Sequence, residues 1–154
     1  MERALKWEIS RELGAPCADI SYCWLSSLGA NLIVTMHFSR IVGGFKNDVE
    51  IIFKEPRGLY YNWQDQSYGL FELPQELPKF SAGSFAGWTY PSIKILGSKW
   101  ADLYAARTHT ELDFRQHNVT HFVFIALNGL LHVLSQQAPL ITEKAAEQDA
   151  AANP

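Results

Sequence analysis

The sequence predicts an α+β fold: an antiparallel, mainly meandering sheet with helices packed on one face and a long aromatic-rich loop. Two alternating runs, residues 31–40 and 49–54, flank Gly43-Gly44 and Asn47-Asp48, which supply turn chemistry. Residues 120–127 are apolar or aromatic almost without interruption, as in a strand covered on both faces. Apolar residues at helical spacing follow Asn128 and also mark the N-terminal stretch, which adds helices to the strands.

Taken in order, residues 3–13 fit either period. Leu5, Trp7 and Ile9 alternate, while Leu5, Ile9 and Leu13 recur every fourth residue; good helix formers and the stop signal of Gly14 and Pro16 favour a helix. Residues 19–28 read as a strand, with Ile20, Tyr22 and Trp24 on one side and Ser21 and Cys23 on the other. In the following hairpin Leu32, Val34, Met36 and Phe38 form the apolar face, opposite Ile33, Thr35, His37 and Ser39. Val49, Ile51 and Phe53 resume the alternation until Pro56 ends it.

A short strand is expected over residues 59–63 and a loop over 64–87, punctuated by Gly69, Pro74, Pro78, Gly83 and Gly87. Residues 88–96 form a strand that Pro91 restricts to an edge or a bulge. Ser98 caps a helix to about Arg107 that buries Trp100, Leu103 and Tyr104. After the strand at 120–127, Asn128 caps a helix carrying Leu130, Leu131 and Leu134, and Pro139 limits its extent. From Glu143 large apolar residues are missing, so residues 1–142 are expected to be one domain and 143–154 a frayed or disordered tail.

Composition excludes several classes of function. A net charge of −3 with no run of basic residues argues against nucleic acid as a partner. No apolar run approaches the roughly 20 residues of a membrane span, and the N-terminal residues carry no apolar signal core, so a soluble, cytoplasmic protein is expected. Cys17 and Cys23, six residues apart along an extended segment, are too distant to pair and are expected as free thiols acting as small buried hydrophobes.

Motifs of chemistry are missing or incomplete. Ile41-Val42-Gly43-Gly44 resembles a protease N-terminus but has no nucleophile segment, and His109-Thr110-Glu111 lacks the downstream cysteines of a zinc deaminase. Neither His37, His109, His117, His121, His132 nor the cysteines have metal-site spacing, so no metal and no cofactor is expected. His37 could meet Glu50 across the hairpin and serve acid–base chemistry, and His121 lies within the apolar strand, but no catalytic residue is assigned.

The 13% aromatic share gathers around the irregular stretch: Tyr60, Tyr61, Trp63, Tyr68, Trp88 and Tyr90. Rings with polar tips suit binding surfaces, so these six residues and His37 are the candidate partner-binding or ligand-binding set. The expected function is a non-catalytic module that binds another protein, in an immunity or adaptor role. A small-molecule or carbohydrate binder with an aromatic cleft is the alternative, and an enzyme relying on His37 or His121 is the third reading.

Overall fold

The chain is mainly β rather than α+β. The computed structural model describes residues 2–10, 13–25, 30–38, 47–63, 73–108, 119–127 and 129–145, with the backbone alone for Gly58–Trp63 and for Ala145. Its strands are β1 (Arg3–Lys6), β2 (Asp19–Leu25), β3 (Asn31–His37), β4 (Asn47–Lys54), β5 (Gly58–Trp63), β6 (Ser92–Leu96), β7 (Thr120–Ala126), β8 (Gly129–Ser135) and β9 (Leu140–Ala145); α1 (Lys99–Thr108) is the one helix among the described residues. They form a five-stranded sheet, β1-β6-β7-β8-β5, and a four-stranded sheet, β2-β3-β4-β9. All pairings within the sheets are antiparallel.

Two expected helices are strands, and this overturns the α+β assignment. Residues 3–6 pair with β6, Arg3 opposite Leu96 through Lys6 opposite Ile93. A short segment that fits both periods goes wherever its backbone groups find partners, and the edge of β6 supplies them. Residues 129–135 pair along their whole length with β7, from Ala126↔Gly129 to Thr120↔Ser135. Leu131, Val133 and Leu134 are fully buried there, so the apolar run after Gly129 is a second strand covered on both faces.

The sheets pack face to face. Leu32, Val34, Met36, Val49, Ile51 and Phe53 meet Phe122, Phe124, Leu131 and Val133 in one core. The Phe53 ring centroid lies 5.2 Å from that of Phe122 and 6.0 Å from that of Phe124, at edge-on angles. Trp7 closes one end of this core at 4.8 Å from Phe122, and Lys94 Nζ sits 5.5 Å from the Trp7 ring centroid.

On the outer side of the five-stranded sheet, Leu73 and Leu77 pack over Ile93, Ile95 and Val123. Ser98 caps α1 as expected, its Oγ accepting a hydrogen bond from Ala101 N–H at 3.1 Å. Ala105 is the buried residue of that helix, whereas Leu103, expected inside, is exposed. Pro91 precedes β6, and its carbonyl accepts the Ile125 N–H at 2.7 Å. Gly83 and Gly87, at φ of 85° and 88°, supply left-handed turns between Phe80 and Trp88, which bond to each other through Phe80 N–H and the Trp88 carbonyl.

β9 runs across the boundary expected at residue 143: Glu143, Lys144 and Ala145 stand opposite Val49, Asp48 and Asn47. Residues 146–154 lie outside the described residues. Ending the chain after Thr142 should therefore melt lower than ending it after Ala145. Losing about two ladder hydrogen bonds at roughly 1 kcal/mol each predicts a gap of roughly 5 °C by calorimetry. Equal melting temperatures would show that the last three pairs of β9 contribute nothing.

Candidate functional site on the open sheet

Strand register sorts the outer face of the four-stranded sheet into rows. Because β3 buries Leu32, Val34 and Met36 and β4 buries Val49, Ile51 and Phe53, the intervening residues point outward. Cys23, Ile33, Ile52 and Leu140 are successive partners across all four strands. Ser21, Thr35, Glu50 and Thr142 form the adjacent row, and Asp19, His37, Asp48 and Lys144 the next. An apolar stripe is thus bordered on one side by two polar rows, with Leu25, Asn31 and Lys54 on the other. Among the described elements, the most extensive backbone contacts of these strands outside their own sheet go from β2 to β7 and β8.

The polar rows hold an ordered chain of three side chains. His37 Nδ1 lies 3.1 Å from Asp48 Oδ2, and His37 Nε2 lies 3.1 Å from Ser21 Oγ. A carboxylate can only accept, so Nδ1 carries the proton; in the neutral ring Nε2 is then the acceptor and the Ser21 hydroxyl donates to it. Asp48 Oδ1 is buried and meets no hydrogen-bond donor among the described residues. Glu50, the partner expected for His37, instead faces Lys144 Nζ at 2.7 Å. In the ladder Glu50 stands opposite Thr35, which places Asp48 opposite His37.

β2 forms one edge of this sheet, and beyond Ile20 it is exposed on both sides, including Tyr22, Trp24 and Leu25. Cys23 is an exposed free thiol, so the expectation of a buried one holds for Cys17 alone. Burial pushes the Cys17 thiol up to about 12, and its Sγ faces the carbonyl oxygens of Asp19 and His37 at 3.1 and 3.6 Å, so it is protonated and unreactive at neutral pH.

Among the described residues, no aromatic candidate lies on the sheet that carries His37. Tyr60, Tyr61 and Trp63 lie on β5, the edge of the other sheet, with backbones opposite His132, Leu131 and Gly129. Tyr68 lies outside the described residues. Trp88 is half exposed and stands edge-on to Phe85 at 5.4 Å. Tyr90 is buried against Phe80 with Lys6 Nζ 4.5 Å from its ring centroid, and burial raises its hydroxyl to about 12.

His121 belongs to a buried chain that the sequence does not announce. Ser98 Oγ lies 2.7 Å from His121 Nδ1, and His121 Nε2 lies 2.9 Å from His132 Nδ1. Trp100 of α1 stands edge-on to both rings, at 5.1 and 5.9 Å. Desolvation, and for His121 also the charge of His132, pushes the two imidazoles down to about 3 and about 4. They are neutral near pH 7 and join α1 to the sheet. Both histidines fall on the outward side of adjacent strands, a placement that follows from the pairing of β7 with β8.

A cleft of about 810 Å3 lies elsewhere, between the start of β1 and residues 73–78, and none of its described lining residues is aromatic. Among the described residues no cluster of three or more His, Cys, Asp or Glu is arranged to hold a metal ion. No described helix is long and apolar enough to cross a membrane. No protein-family model matches the chain, and neither a curated protein nor a solved structure shows significant similarity to it.

Proposed function

We propose that this protein is a binding module that docks another protein on the outer face of its four-stranded sheet. The observation that carries the reading is the stripe Cys23, Ile33, Ile52 and Leu140, which crosses every strand of the sheet and is bordered by polar residues. An apolar centre within a polar surround is the anatomy of a protein contact. Leu140 is 57% exposed, and the exposed Leu25, on the same side of β2 as Cys23, extends the apolar area.

Asp19, Asp48 and Glu50 outnumber Lys54 and Lys144 on the same rows, and the chain carries −3 overall. The partner that fits is a protein with an apolar strip and a basic rim. Four strands about 4.8 Å apart and some 20 Å long offer on the order of 400 Å2, which suits a transient contact more than an obligate one.

The test is capture from the native cell with wild-type protein and with Ile33→Glu, Leu140→Glu and Trp88→Ala variants. Expected is a specific partner that wild type and Trp88→Ala retain and that the two face variants lose, with folding checked by circular dichroism. Loss with Trp88→Ala but not with the face variants would move the contact to the aromatic turn. Retention by all three would remove both surfaces from consideration.

A further inference from the structure

We propose that Ser21 is a nucleophile activated by His37, and that this site takes the acyl group of small, uncharged, activated carboxylic esters. The reading is independent of docking, since it concerns the isolated chain. Its basis is the order of atoms: hydroxyl to Nε2 at 3.1 Å, then Nδ1 to carboxylate at 3.1 Å. A nucleophile at one ring nitrogen and an orienting acceptor at the other is the arrangement that lets an imidazole remove a hydroxyl proton. The three residues come from three adjacent strands, β2, β3 and β4, so paired backbones hold them rather than a loop.

Ser21 is exposed, as attack on an external carbonyl requires. Its Oγ adds to the ester carbonyl carbon while its proton passes to His37 Nε2. The tetrahedral adduct collapses, the bond from carbonyl carbon to alkoxy oxygen breaks, and the alcohol leaves with the proton from the imidazolium. Water then repeats the sequence on the acyl-serine, releasing the acid and restoring the hydroxyl. Asp48 is the positioning residue, fixing the Nδ1–H tautomer and balancing the imidazolium charge.

The surroundings set the substrate class. Cys23 and Ile33, one row from Ser21, favour an apolar acyl group, and Asp19, Asp48 and Glu50 disfavour an anionic one. Among the described residues Ser21 is exposed rather than enclosed, which leaves the oxyanion largely to solvent and makes activated esters, not amides, the expected substrates.

The experiment treats the 154-residue chain in a Cys23→Ala background, which removes the competing exposed thiol, with a fluorophosphonate and separately with p-nitrophenyl acetate. Modified residues are located by peptide mass spectrometry. Expected is one adduct at Ser21, abolished by Ser21→Ala and slowed roughly a hundredfold by His37→Ala. Asp48→Asn should also slow labelling without lowering the melting temperature, and Asp48→Glu should restore part of the rate. No adduct at Ser21, or an adduct formed as fast in His37→Ala, would overturn the proposal and leave Ser21 an ordinary surface hydroxyl.

Discussion

Lowering the pH from 7 to 5 is expected to cost the fold about 4 kcal/mol through His121 and His132 alone. In the unfolded chain each imidazole takes up its proton near the ordinary value of 6.5, whereas in the fold burial holds them down to about 3 and about 4. Between those limits the unfolded state binds the extra protons, so stability falls as pH falls. The contribution is fully present above about 6.5, declines below it, and is gone once pH passes the folded values. Two groups over about 1.5 pH units at roughly 1.4 kcal/mol per unit give the figure. Urea unfolding at pH 7, 6 and 5 measures the total slope, and imidazole NMR signals assign it. Native rings of His121 and His132 that titrate near 6.5 would contradict the buried chain from Ser98 to His132.

Phe124→Ala is expected to destabilise the protein by about 3 to 5 kcal/mol, the range for a large ring removed from a close-packed core. Phe124 is fully buried at the centre of the five-stranded sheet and meets Phe53 of the opposite sheet and Trp7 at 6.0 and 5.8 Å. Its loss opens a cavity between two paired backbones that have little freedom to collapse. Ile125, the next residue, points to the other side and is only partly buried, packed against Ile93, Ile95 and Val123. Ile125→Ala should accordingly cost less than half as much. Chemical denaturation of the two variants decides the matter: equal losses would mean that the two faces of β7 are equally enclosed.

The outward position of His37 is legible in the sequence, and the identity of its neighbours is not. His37 is visible on the outward alternation of β3, but the choice between Glu50 and Asp48 depends on register, and a two-residue offset changes the neighbour. Ile33 on a face otherwise polar was a legible hint of the apolar stripe. Leu140 was not, because β9 lies beyond Pro139 and pairs with β4 from more than 80 residues away.

The paired strands β3 and β4 were determined by the sequence alone, since their alternation suits no other element, and β7 by the β-branched and aromatic residues Phe122, Val123, Phe124 and Ile125 that favour extension. The conformations of residues 3–6 and 129–135 were decided only by tertiary structure. Short apolar segments satisfy helical and extended periods alike, and the free backbone groups of β6 and β7 select the extended form. Strand pairing likewise carries Asp48, His37 and Ser21, from two neighbouring rows, into one chain of contacts and His121 onto His132, because side-chain neighbours in a sheet follow from register between strands rather than from distance along the chain.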